Sequence, residues 1–246
     1  MKFKVRKEVL NKGIEVIQNI ITTKATLPIL SNILIETHHN NLKLTATDLN
    51  IGITCVIPVS IQEQGAITIP ARRFGSIIKE LPGEEMEIST KKNNMVIIET
   101  DTCQFKILGL SSEEFPKLPE FKDKEVIKIE QAVLKQMLQL TSFAVSFDET
   151  RYILNGILFK ITKNSLTLVG TDGKRLAIIE RKLNYSITKE LSLIVPIKTI
   201  QELNRNLKET GEVSLIIGTN QVLFDFGEIA MSRTNYCIFI QNHYFI

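Results

Sequence analysis

The sequence predicts an α+β chain made by tandem duplication of one unit of about 124 residues, with two helices packed on antiparallel sheets in each copy. Three observations predict it. The stretch LSNILIETHHNNLKLTATDLN (30–50) recurs as LNGILFKITKNSLTLVGTDGKRL (154–176). Leu30 matches Leu154, Ile33 matches Ile157, Leu42 matches Leu166, Leu44 matches Leu168 and Thr47-Asp48 matches Thr171-Asp172, always at an offset of 124. Within both stretches apolar residues alternate, as in Ile157, Phe159 and Ile161, the period of a half-buried hairpin. Two helical patterns opened by proline repeat as well: Phe74, Ile77 and Leu81 match Ile200, Leu203 and Leu207 at an offset of 126.

Taken in order, residues 2–6 read as a strand and 7–21 as an amphipathic helix. Val9, Leu10, Ile14, Val16, Ile17, Ile20 and Ile21 fill one half of its wheel. The loop TTKATLPIL leads into the first hairpin, and 51–61 and 65–69 read as further strands. Pro70 starts a second helix, which Pro82-Gly83 stops. Strands follow at 85–90, 94–100 and 103–109. The polar stretch 111–125 holds two prolines and reads as a linker. Ile127 and Ile129 then repeat Phe3 and Val5, a helix runs over 131–144, and the second hairpin follows. Residues 191–195 are a strand, Pro196 opens the fourth helix, and strands at 212–217 and 221–226 close the copy. This divides the chain into domains 1–119 and 126–233 with a linker at 120–125. The tail 234–246, TNYCIFIQNHYFI, has no Lys, Arg, Asp or Glu and reads as foreign to the pattern, as a frameshift would produce.

Composition narrows the function. The chain of 246 residues is 43% hydrophobic and 23% charged, with net charge +3, which permits a polyanionic partner without demanding one. Cys55, Cys103 and Cys237 are isolated and odd in number, so no disulfide framework or zinc site is indicated and reduced thiols in a cytoplasmic protein are expected. No signal peptide is legible at the N-terminus, and no apolar run reaches the roughly 18 residues of a membrane helix.

Several motifs invite catalytic readings that fail on spacing. In VGTDGKRLA, Gly170 and Gly173 are too close for a phosphate loop and Arg175 follows the lysine where Ser or Thr is needed. Paired Asp48 and Asp172 suggest an aspartic dyad, but the order is Thr-Asp and the first copy continues Leu-Asn. Each carboxylate is instead expected to tie up turn amides. His38, His39 and His243 have no carboxylate or cysteine at ligand spacing, so no metal, cofactor or activated nucleophile is expected.

The basic stripe is the functional signal. Arg72 and Lys79 are seven apart, fall about 20° from each other on a helical wheel, and lie opposite the apolar face. Lys198 and Arg205 repeat them at the offset of 126. Packing does not require matched charge on a solvent face, whereas a shared polyanion does. With few aromatics and no groove-reading motif, contact with a phosphate backbone without sequence readout is expected.

The segments TLPILSNILIE, LTATDLN, IPARRF, FPKLP, RYILNGILF and TDGKRLA, in this order, resemble the bacterial DNA polymerase III β sliding clamp family from Met1 to about Arg233. The resemblance implies the DNA clamp fold and a non-enzymatic processivity factor in the cytoplasm, a homo-oligomeric ring around double-stranded DNA with its helices inside. It implies DNA contacts from Lys24, Arg72, Arg73, Lys198 and the Arg151-Tyr152 turn, beside the stripe residues Lys79 and Arg205. Ile153 stands where the family often has a second tyrosine. It implies docking of short linear peptides from polymerase and clamp-loader subunits at Leu154, Thr171, Gly173, Lys174, Arg175 and Leu176, with Lys174 where many members have His. Phe105 and Ile107 match edge-strand positions that meet a neighbouring subunit. Family members continue into a third domain, so a truncated copy is expected here. A monomeric peptide-binding remnant and a two-domain clamp closing as a trimer remain the alternatives.

Overall fold

The computed structural model describes residues 1–21, 27–118, 125–148, 150–182, 190–218, 221–229 and 234–241. The chain divides into two units. The first is built on Met1–Leu118 with Glu228–Cys237, the second on Pro119–Gly227 with Ile238–Ile246.

In the first unit β1 (Lys2–Arg6) runs straight into α1 (Lys7–Gln18). A 3-10 turn at Pro28–Ser31 precedes β2 (Asn32–His38), β3 (Asn41–Thr47), β4 (Ile51–Pro58), β5 (Ser60–Glu63) and β6 (Ala66–Pro70). α2 (Ala71–Glu80) leads to β7 (Glu85–Thr90), β8 (Met95–Glu99) and β9 (Gln104–Leu108). The strands form one run in the order β5-β1-β7-β8-β9 and another in the order β4-β3-β2-β6, all antiparallel. Alternation decides the faces: Phe3, Val5, Leu42, Leu44, Ile88, Val96 and Ile98 are buried while their neighbours face out.

The second unit repeats the plan. β10 (Glu125–Glu130) enters α3 (Gln131–Ser142), and a 3-10 turn at Tyr152–Leu154 precedes β11 (Gly156–Ile161), β12 (Ser165–Thr171) and β13 (Leu176–Lys182). β14 (Leu191–Pro196) leads to α4 (Ile197–Asn206), β15 (Glu212–Ile217), β16 (Gln221–Ile229) and β17 (Thr234–Gln241). β13-β12-β11-β14 form one antiparallel run and β10-β15-β16 another.

Matched residues tie the units together internally. Lys7 Nζ donates to the Leu81 carbonyl at 2.6 Å, and the Lys7 amide donates to the Glu84 carbonyl. At the matched position Gln131 accepts the Lys208 amide on Oε1 and donates from Nε2 to the Glu212 carbonyl, while its own amide bonds Gly211. In each copy, therefore, the first helical residue holds the end of the second helix. In the first copy that satisfies a carbonyl at the helix end, that of Leu81.

Two segments differ from the sequence reading. Part of the supposed linker belongs to the first unit: a 3-10 turn at Ser112–Glu114 brings Phe115 down onto Ile29, Leu30 and Leu34, where it is buried. Phe115 lies between that turn and the two prolines, and its apolar ring packs. The tail set apart as foreign contains β17, in which Ile238 and Ile240 are buried.

α3 packs on β12 and β13, and the closest point is Gly170. A Cβ there would lie 2.4 Å from the Thr141 carbonyl oxygen. The matched residue of the first copy is Ala46, which is buried without such an approach. Gly170→Ala is expected to lower stability by about 1–3 kcal/mol, as overpacking does, in urea unfolding followed by circular dichroism. Unchanged stability would mean that α3 does not end against β12.

Candidate nucleic-acid interface and docking turn

α2 buries Ala71, Phe74 and Ile78, and the Leu81 amide closes its last turn on the Ile77 carbonyl at 2.9 Å. Arg72, Arg73 and Lys79 lie on the other side, exposed, and among the described residues none of them forms an ion pair. This is a helix face with three free cations, the arrangement expected for phosphate contact.

α4 has the same shape but not the same charge. Ile200, Leu203 and Leu207 are buried, and the Leu207 amide bonds the Leu203 carbonyl at 2.8 Å. Arg205 is exposed, yet its Nη1 donates to Oε1 of Glu202 at 2.5 Å, and that carboxylate is buried. Lys198 is half-buried. The stripe legible in both copies is thus fully presented by α2 and partly neutralised on α4. A helical wheel records where charges fall and not which of them are paired.

The loop before β11 places Arg151 in solvent, with its Nε 3.5 Å from Asp148 Oδ2. A hydrogen bond from the Thr150 hydroxyl, then one from its amide, holds the Asp148 carboxyl below the usual aspartate range. The Arg151 carbonyl accepts the Leu154 and Asn155 amides, which forms the 3-10 turn carrying Tyr152. Lys24 lies outside the described residues.

The Thr-Asp turns are built identically. Thr171 Oγ1 donates to the Arg175 carbonyl at 2.7 Å and accepts the Gly173 amide, while Asp172 Oδ1 accepts the Lys174 and Arg175 amides. In the first copy Thr47 Oγ1 donates to the Ile51 carbonyl at 2.9 Å and accepts the Leu49 amide, and Asp48 Oδ1 accepts the Asn50 and Ile51 amides. Both aspartates serve the turn, as the spacing predicts. The third residue has positive φ in both, +87° at Gly173 and +76° at Leu49, where a side chain is disfavoured.

At the second turn most of the residues expected to receive peptides are exposed. Gly173, Lys174, Arg175 and Leu176 are exposed, Thr171 and Leu154 are half-buried, and a Cβ on Gly173 would lie 3.9 Å from Leu154 Cδ1. Arg175 Nε bonds Asp172 Oδ2 at 3.0 Å, and its guanidinium carbon sits 6.0 Å from the Phe143 ring centre. The bonds from the Lys174 and Arg175 amides, more than the nearby guanidinium, hold the Asp172 carboxyl below its ordinary value. Sequence reasoning missed the exposed Phe143 beside this turn; its place at the C-cap of α3, opposite the helix's apolar residues on a helical wheel, was the available signal.

On the edge strand β9, Ile107 is buried in its own sheet, 1% exposed. Phe105 and Leu108 are the exposed apolar residues of β9. A cleft of about 1050 Å³ in the first unit, lined in part by Lys4, Arg6, Asn40 and Ser60, contains none of the expected site residues. Among the described residues no cluster of metal-ligating groups occurs, and no helix is long and apolar enough to cross a membrane.

Duplicated α+β units with cationic helix faces define a DNA-clamp class of protein, and comparison with known proteins agrees. Residues 1–119 match the family described as DNA polymerase III beta subunit, N-terminal domain, and 128–235 match its central domain. The beta sliding clamp of Chlamydia pneumoniae is 36% identical over 222 residues, covering 90% of this chain and 61% of that protein. That of Bacillus subtilis is 32% identical over 233 residues, covering 91% and 62%. The crystal structure of the Bacillus subtilis clamp superimposes with a TM-score of 0.91 at 31% identity, over 98% of this chain and 64% of that one. A Pseudomonas aeruginosa clamp solved bound to griselimycin gives 0.89 at 28% identity, over 98% and 64%. The chain belongs to the DNA polymerase III β-subunit family. It spans about three fifths of the length of these curated relatives.

Two outcomes test the turn. Gly173→Ala should destabilise the second unit by about 1 kcal/mol, because alanine resists the left-handed backbone, and thermal unfolding measures it. Asp172 has a folded pKa below its unfolded one, so its contribution to the turn is complete above the ordinary aspartate value and is lost as pH falls through the lowered one. The Lys174 and Arg175 amide resonances should therefore shift only in that acid range, and Asp172→Asn should abolish the transition.

Proposed function

We propose that this chain is the two-domain part of a sliding clamp, a non-catalytic processivity factor that holds duplex DNA without reading its sequence and docks polymerase and clamp-loader segments. The observation that carries the reading is the exposed face of α2, where Arg72, Arg73 and Lys79 stand free opposite buried Phe74 and Ile78 in a chain of the clamp family. Backbone phosphates are the ligand such a face suits, since it offers cations without groove-reading geometry. Lys198, Arg205, Arg151, Tyr152 and Lys24 extend this path, with Arg205 weakened by Glu202. Leu154, Thr171, Gly173, Lys174, Arg175 and Leu176 receive partner peptides, and the exposed edge of β9, through Phe105, receives a neighbouring subunit. The setting is the cytoplasm.

Duplex binding measured by anisotropy against salt tests the DNA reading. Reversing Arg72 and Lys79 to Glu should weaken binding and flatten the log–log salt slope by about 0.9 for each phosphate no longer neutralised. Identical slopes for variant and parent would sink it. Retention on nicked circular DNA in high salt separates encirclement from simple surface binding. Griselimycin, which the Pseudomonas aeruginosa relative binds, serves as the probe for the turn. Binding of that probe by a monomer that never stays on circular DNA would leave only a docking module.

A further inference from the structure

In the first unit the chain passes from one run of strands to the other between β4 and β5. Val59, at the crossing, donates its amide to the Asn40 carbonyl at 3.0 Å. β5 then pairs with β1 only as far as Lys4 opposite Ser60, so Val5 and Arg6 run on without it. The cleft of about 1050 Å³ opens there. Val9, Val56 and Ile61 line it half-buried, apolar surface that the unit's own packing leaves partly uncovered. The charges along it do not balance. Glu85 stands 3.8 Å from Arg6, and Glu87, opposite Lys4 on β7, is taken by Lys2 at 2.8 Å. Lys4 is exposed and forms no ion pair among the described residues. From the other run of strands Asn40 and Asn41 reach the cleft, exposed, and among the described residues neither side-chain amide has a hydrogen-bond partner.

The second copy does not keep these features. At the offset of 124, Glu130 replaces Arg6, Glu180 replaces Val56 and Ser165 replaces Asn41. Lys128, matched to Lys4, lies 3.8 Å from Glu212, and the Ser165 hydroxyl bonds that of Thr162 at 2.9 Å. The strands form in both copies, so the fold itself does not demand the free cation, the valine or the amide pair. We infer that the cleft of the first unit receives an extended peptide segment with apolar residues at alternate positions and one carboxylate side chain. Every second side chain of such a segment falls on one face, which suits an apolar floor beside a cation. A single carboxylate matches the single surplus charge and meets Lys4. Side-chain amides offer a donor and an acceptor together, as a peptide unit does, so Asn40 and Asn41 suit a main chain where an alkyl chain would leave them unused. The cleft is separate from the docking turn. Asn41 begins β3 and Thr47 ends it, so the Thr-Asp turn closes the far end of the hairpin. The inference therefore stands apart from both the DNA and the docking readings.

The experiment follows the amide resonances of the full chain during titration with acetyl-Leu-Ser-Leu-Ser-Glu-Ser-amide, and with twins carrying Gln or Lys in place of Glu. The Val9, Asn41, Val56 and Ser60 amides should move saturably. The Gln twin should bind more weakly by about two- to fivefold, the worth of one exposed ion pair, and the Lys twin more weakly still. Lys4→Glu should reverse that order and favour the Lys twin. Asn41→Ala should weaken all three peptides and leave thermal unfolding unchanged, because its side chain is exposed. Val56→Glu, the residue of the second copy, should abolish the shifts; Lys4→Glu and Asn41→Ala keep the test independent of any effect of that change on folding. No movement at these amides with any peptide, equal affinity for the Glu and Lys twins, or an unchanged order in Lys4→Glu would each overturn the proposal. Movement confined to Lys174 and Arg175 would also overturn it, since the peptide would then lie on the docking turn.

Discussion

Everything the chain presents to a partner depends on each helix burying one face against its own sheet. Phe74 and Ile78 in α2, and Ile200 and Leu203 in α4, are withdrawn from water completely or nearly so. Burying such side chains stabilises by about 1.5–3 kcal/mol each, far more than any exposed ion pair. With the rotation of the helix fixed this way, the direction of Arg72 and Lys79 follows without further interactions. The tie from Lys7 or Gln131 to the end of the second helix fixes its tilt as well. Charge presentation is thus a by-product of packing, which is why it can be repeated by duplication.

Most of the architecture was legible because the two periodicities were clean and written twice. β1 to β3 and β6 to β9 fall close to where alternation placed them, the stretch 51–61 read as one strand is divided between β4 and β5, and the prolines at 70 and 196 stand immediately before helices. The carboxylates of Asp48 and Asp172 occupy the turn positions their spacing implied. Duplication helped in a specific way, since an ambiguous segment in one copy could be read from the other.

What stayed hidden depends on three-dimensional partners. No pattern in PIKTIQELNRN says that Glu202 turns inward and takes Arg205 with it. Ile107 lies on the edge strand, yet its side chain takes the inner face, which no pattern in QFKIL distinguishes. Phe115 sat among polar and proline residues, so its environment spoke for a linker although its own ring packs on Ile29 and Leu30. Composition set the tail apart from the repeat without showing that part of it forms a strand.

Leu49 marks where the two copies parted. It keeps the left-handed backbone and every hydrogen bond of the turn, while Gly173 keeps them without a side chain. The Leu49 side chain is 40% exposed, so it adds an apolar group to the surface of a turn that Gly173 leaves bare. After a gene doubles, the surface of such a turn can therefore change through one residue while the scaffold beneath it stays intact.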